Sequence, residues 1–166
     1  MSIVRIFALL LCLGFSQANV FGESDLRWQK SVNAIKYVRI LHMDESRFKT
    51  IGEYFGDRKE RQYFRCVARD SPNGRTGTYF IVGLNGSVVE LPVDISAKIS
   101  IITSPIGNTH VFECKIPEGN RFPLVSEIYC GLVSEKIDIS QIKAWKVEFV
   151  DGSGSVLFSK CSYMWR

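Results

Sequence analysis

Histidine is nearly missing from this sequence, with only His42 and His110 among 166 residues. A nucleophilic triad needs an imidazole beside a serine or cysteine, and neither histidine has such a setting. His110 and Cys114 would share a strand face, but four strand residues separate them by about 13 Å, too far for two ligands on one zinc ion. Cys-x-x-Cys, His-Glu-x-x-His and Gly-x-Ser-x-Gly are all absent. Gly152-Ser153-Gly154-Ser155 lacks the elbow spacing and reads as a hairpin loop. Asn73-Gly74-Arg75-Thr76-Gly77 precedes a strand rather than the helix that a phosphate-binding loop uses. The acids Asp44, Glu45, Glu53, Glu113 and Glu127 could form glycosidase-like pairs, but no spacing singles any of them out. No catalytic residue, metal ligand or cofactor is assigned. Low-complexity tracts and internal repeats are also lacking, which excludes disorder as the general state of the chain.

What is present begins with a leader. Arg5 supplies positive charge, Ile6 to Phe15 is apolar, and Ser16-Gln17-Ala18 offers small residues for cleavage before Asn19. That apolar stretch is half of the roughly 20 residues a membrane-crossing helix needs. Residues 1–18 are therefore expected to be a signal peptide, and the protein to be exported to a periplasmic or extracellular space. The remaining 148 residues suit one folded unit. No later segment is long and apolar enough to span a membrane.

Residues 19–57 carry helical spacing. Trp28, Val32, Ile35, Val38 and Leu41 recur at three- and four-residue steps, with Ser24 or Asp25 as a cap. A shorter helix is expected from Asp44 or Ser46, presenting Phe48, Ile51 and Phe55 and stopping at Gly56. From residue 58 to 166 the period changes to two. Phe64, Cys66 and Ala68 alternate with Tyr63, Arg65, Val67 and Arg69. Thr78 to Leu84 is dense in β-formers, and Asn85-Gly86 signals a hairpin into Val88 and Val89. Ile95, Ala97, Ile99 and Ile101 line one face of a further strand. Val111 to Ile116, Glu127 to Val133, Ala144 to Val150 and Ser155 to Tyr163 complete the set. The fold class is mainly β: an antiparallel sandwich, Ig-like or an open barrel, of seven or eight strands behind one or two short helices.

Gly77-Thr78-Tyr79-Phe80-Ile81, Ile128-Tyr129-Cys130-Gly131-Leu132, Ala144-Trp145 and the closing Ser162-Tyr163-Met164-Trp165 resemble a family of small exported bacterial β-rich proteins with a C-terminal aromatic motif. The resemblance implies export and a β-fold, and it implies no activity.

Four cysteines, Cys66, Cys114, Cys130 and Cys161, follow the leader. An even number in an exported chain favours disulfides. Cys114 and Cys130 flank a short connection between consecutive strands, and Cys66 and Cys161 lie on the first and last strands of the β-segment. Cys114–Cys130 and Cys66–Cys161 are the expected pairs, with buried thiols as the alternative.

Charge is uneven. Glu23 to Arg75 holds 12 basic and 8 acidic residues, whereas Thr76 to Arg166 holds 8 and 9. Within the basic part, Arg61, Tyr63, Arg65 and Arg69 point one way if the segment is a regular strand. Arginine forks grip carboxylate or phosphate oxygens in pairs. That stripe is the candidate binding site for an anionic polysaccharide, a lipid headgroup or an acidic protein surface; nucleic acid is not expected. A solvated strand face is the plainer explanation, as packing is for Tyr79, Tyr129, Trp145, Tyr163 and Trp165. Two functions remain: a non-catalytic exported domain that binds a macromolecular partner or anionic polymer, and a secreted enzyme with a loop-built site.

Overall fold

The computed structural model describes residues 35–56, 65–104 and 108–165. The chain divides into residues 1–30 and 31–166, and all described residues belong to the second unit. The leader, Trp28, Val32, Arg61 and Tyr63 lie outside the described residues.

Two four-stranded sheets make up the unit. In chain order the strands are β1 (Ile35–Met43), β2 (Cys66–Arg69), β3 (Gly77–Leu84), β4 (Ser96–Thr103), β5 (Asn108–Lys115), β6 (Glu127–Leu132), β7 (Ile142–Val150) and β8 (Val156–Cys161). Sheet A runs β1-β3-β6-β2 and sheet B runs β5-β4-β7-β8. Every pairing is antiparallel except β2 with β6. The expected β-rich, sandwich-like architecture is present.

The alternating residues of the two inner faces form the core. Phe80, Val82, Ile128 and Leu132 of sheet A and Ile99, Ile101, Val147 and Phe149 of sheet B are fully buried. Phe80 meets Trp145 edge to face at 6.2 Å, and Phe149 stacks on Phe158 at 4.6 Å. Burying such a side chain contributes about 1.5–3 kcal/mol each.

Four expectations change. Ile35, Val38 and Leu41 belong to strand β1, not to a helix. Ile, Tyr and Val populate this stretch, and pairing with β1 satisfies one backbone edge of the wholly buried β3. The second helix is two short pieces: a 3-10 turn, Glu45–Arg47, capped by the Asp44 side chain, and α1, Ile51–Tyr54. Asn85-Gly86 leads into a 3-10 turn, Val88–Glu90, rather than a strand. There the Ser87 hydroxyl takes the Val89 N–H at 3.3 Å, and the chain crosses to sheet B. Finally, all four described cysteines are free thiols. Cys114 and Cys130 stand on strands of opposite sheets, so the short connection does not make a hairpin. Cys66 is buried on β2, whereas Cys161 is exposed at the end of β8. Burial pushes the Cys66 thiol up to about 11 and the Cys114 thiol up to about 12, and it also raises the Cys130 thiol well above its ordinary value.

The outer face of sheet A carries a second, smaller core. Met43, Phe48, Val67, Tyr79 and Ile81 cluster there, with Phe48 against Tyr79 at 4.8 Å. Segment 44–56 is latched onto this face by a short ion pair of Arg75 with Glu53, at 2.6 Å. The Thr50 N–H and then the Arg75 guanidinium hold the Glu53 carboxyl below its ordinary range.

Candidate functional site

Strand register sets the outer face of sheet A in cross-strand rows. The first row is Tyr37, Gly83 and Glu127, the second Arg39, Ile81, Tyr129 and Val67, and the third Leu41, Tyr79, Gly131 and Arg69. Glycine in two of these rows is a packing requirement. A Cβ on Gly83 would come within 2.5 Å of the Tyr37 ring, and one on Gly131 within 2.5 Å of the Tyr79 ring. Each tyrosine therefore lies flat across the glycine of the next strand and reaches a partner one strand further on. Tyr37 donates a short hydrogen bond to Glu127. Tyr79 accepts from Arg69 Nε at 3.0 Å and donates to the Arg75 carbonyl at 2.8 Å.

Glu127 collects three donors. Besides Tyr37, it accepts from the Tyr129 hydroxyl at 3.0 Å and from Arg39 Nη2 at 2.9 Å. The Tyr37 hydroxyl, followed by Tyr129 and Arg39, holds the Glu127 carboxyl below its ordinary range. The same bond raises Tyr37, while burial and then Glu127 raise Tyr129. Arg39 remains 56% exposed, so most of its donors face solvent.

Beside this network is a concavity of about 350 Å³, floored by Leu41, Met43, Ile81 and Tyr129 and rimmed by Arg39, Arg47 and Arg65. The three arginines come from β1, the 3-10 turn and the residue before β2. Arg65 donates to the Arg47 carbonyl at 2.8 Å and lies over the Tyr129 ring at 5.8 Å. Arg39 lies over Tyr37 at 5.2 Å and Arg69 over Phe48 at 5.2 Å. Resting a guanidinium on a ring limits its motion and leaves its N–H edge for an oxyanion. The Ser46 hydroxyl, helped by the Arg47 charge close to Asp44, holds the Asp44 carboxyl below its ordinary range.

Of the four residues expected from the sequence, Arg65 lines this concavity and Arg69 lies on the same face, committed to Tyr79 and Phe48. Arg61 and Tyr63 lie outside the described residues. Asp70, beside Arg69, accepts the Val133 N–H at 2.9 Å. The sequence reading missed Arg39, Arg47, Tyr37 and the position of Glu127. Isolated glycines inside strand patterns, Gly83 and Gly131, were the available signal.

Two other clefts offer less. One of about 600 Å³, at the end of the sandwich, includes His42, Thr78, Glu135 and Asp138. Three of its polar groups are engaged in structural bonds: Thr78 with the Ile137 carbonyl, Asp138 with the Ser140 N–H, and Glu135 with His110 at 3.2 Å. The other, about 550 Å³ on sheet B, mixes Lys98 and Lys115 with Asp94, Glu113 and Asp151. Among the described residues no group of three potential metal ligands gathers, and no helix is long and apolar enough to cross a membrane. The chain matches no protein-family model, no curated protein and no solved structure.

Proposed function

We propose that this is an exported, non-catalytic β-domain that binds an anionic polymer through the outer face of sheet A, with Arg39, Arg47 and Arg65 as the principal contacts. The observation that carries this reading is the convergence of three arginines from three separate elements on one apolar-floored concavity. Surface arginines scattered for solubility need no shared floor and no aromatic supports. Arg61 and Tyr63 continue the alternation of Arg65 and Arg69 in sequence.

Such binding is electrostatic and weakens with salt, because screening shortens to about 8 Å at physiological ionic strength. The test is elution of the protein from immobilised heparin along a salt gradient. The double variant Arg47→Ser, Arg65→Ser should elute at clearly lower salt than the wild type. Lys98→Ser, on sheet B, should elute with the wild type. An unchanged double variant, or a Lys98→Ser shift of equal size, overturns the assignment of this face. Binding to anionic lipid vesicles without retention on heparin overturns the choice of a soluble polymer.

A further inference from the structure

We propose that Glu127 is an internal competitor for the ligand, which restricts the site to an anionic polysaccharide with closely spaced carboxylate or sulfate groups and rejects isolated anions. This rests on the reading of the arginine face given above and names its selectivity.

Glu127 bonds two residues that line the concavity, Arg39 and Tyr129, and takes the Tyr37 hydroxyl as well. Donors from β1 and β6 thus already converge on a carboxylate supplied by the chain itself. It is the sole acid in the three cross-strand rows. A single incoming anion that settles on Arg47 and Arg65 reaches only the Arg39 donors that Glu127 leaves open, beside a fixed like charge. A polymer differs in kind. Its first charged group settles on Arg47 and Arg65, and the next then competes with Glu127 for Arg39 at the high local concentration that tethering supplies.

The aromatic rings favour a polysaccharide over single-stranded nucleic acid. Base recognition on such a face depends on open ring faces for stacking. Here Tyr37 is sandwiched between the Gly83 backbone and Arg39, and Tyr129 is covered by Arg65. What remains open is a set of N–H edges around an apolar floor, which suits charged groups carried on a sugar chain.

The experiment is titration calorimetry of the full-length protein with polygalacturonate, dextran sulfate, a galacturonate trimer and an oligothymidylate. Wild type should bind both polysaccharides and bind the trimer much more weakly per charged group. The two polysaccharide arms show whether carboxylate or sulfate is preferred. Glu127→Gln retains an acceptor for Tyr37 while removing the charge, and should tighten polymer binding about two- to fivefold, the size expected for one exposed charge pair. Its gain on the trimer should be at least as large. Glu127→Ser should change in the same direction. If Glu127 instead only positions Arg39, both variants weaken binding, and that result overturns the proposal, as does no change. Tighter binding to oligothymidylate than to either polysaccharide overturns the choice of polymer. If wild type binds none of the four ligands, the arginine-face reading fails first and takes this inference with it.

Discussion

Replacing Gly131 with alanine tests the packing of the outer face most directly. The added Cβ would stand 2.5 Å from Tyr79 Cε1 and 2.7 Å from Cζ. Ordinary carbon contacts are about 3.5–4.0 Å, so the ring must retreat by about 1 Å. It has little room, since Tyr79 is fully buried, Phe48 packs tilted against it at 4.8 Å, and its hydroxyl is tied to Arg69 and Arg75. Overpacking costs about 1–3 kcal/mol, and each strained hydrogen bond about 0.5–1.5 kcal/mol more. Removing a strand glycine returns about 0.5–1 kcal/mol. The expected net loss is about 1–5 kcal/mol, which lowers a urea midpoint by about 0.5–2.5 M at a slope of about 2 kcal/mol per molar. Gly119→Ala is the control, because nothing lies within 4 Å of its added carbon. The loss should also shrink in a Tyr79→Leu background, where the obstructing ring is gone. A Gly131→Ala protein within about 0.5 kcal/mol of wild type, or an equal cost in both backgrounds, would refute the close approach of ring and backbone.

Two further outcomes follow from the buried charge and the thiols. Because Glu53 is held below its ordinary value of 4.5, its contribution to stability is complete above that pH and is lost as the pH falls through the folded value. Acid titration of the unfolding midpoint should show this loss, and Glu53→Gln should flatten the curve below pH 4.5; a variant as acid-sensitive as wild type removes the latch from the explanation. At pH 8, Cys66 and Cys114 should be ionised only on the order of one part in 10³ and 10⁴ respectively, given values of about 11 and 12. Thiol labelling of native protein should therefore reach exposed Cys161 first and Cys66, Cys114 and Cys130 only on unfolding. Equal rates for Cys161 and any of those three would refute the buried arrangement.

The strands with strict alternation were legible in sequence. Ile95, Ala97, Ile99 and Ile101 do face the core, and Arg65 and Arg69 do stand opposite Cys66 and Ala68. Ile35, Val38 and Leu41 fit a helical period as well as a strand, and the choice was made by a partner, β3, that lies about 40 residues away. Asn85-Gly86 carried a hairpin signal that Ser87 capping overrode. The concavity was the hardest part to read. Arg39 and Glu127 are 88 residues apart and meet only because β1 and β6 both flank β3. No local spacing encodes that meeting, whereas a glycine within a strand at least marks where a neighbouring side chain comes close.

The parallel pair at the edge of sheet A also imposes an order of assembly. β6 sits between β3 and β2 as an inner strand, although it is sixth in the chain. Until residues 127–132 are available, β2 has no ladder to join and β3 lacks one of its two neighbours. A chain interrupted after β5 could complete the β4–β5 hairpin, while in sheet A it could form only the β1–β3 pair. Both unfilled edges would then be templates for another chain. Completion of β6 thus closes two liabilities in one step, and it is the same strand that delivers Glu127 and Tyr129 to the arginine face.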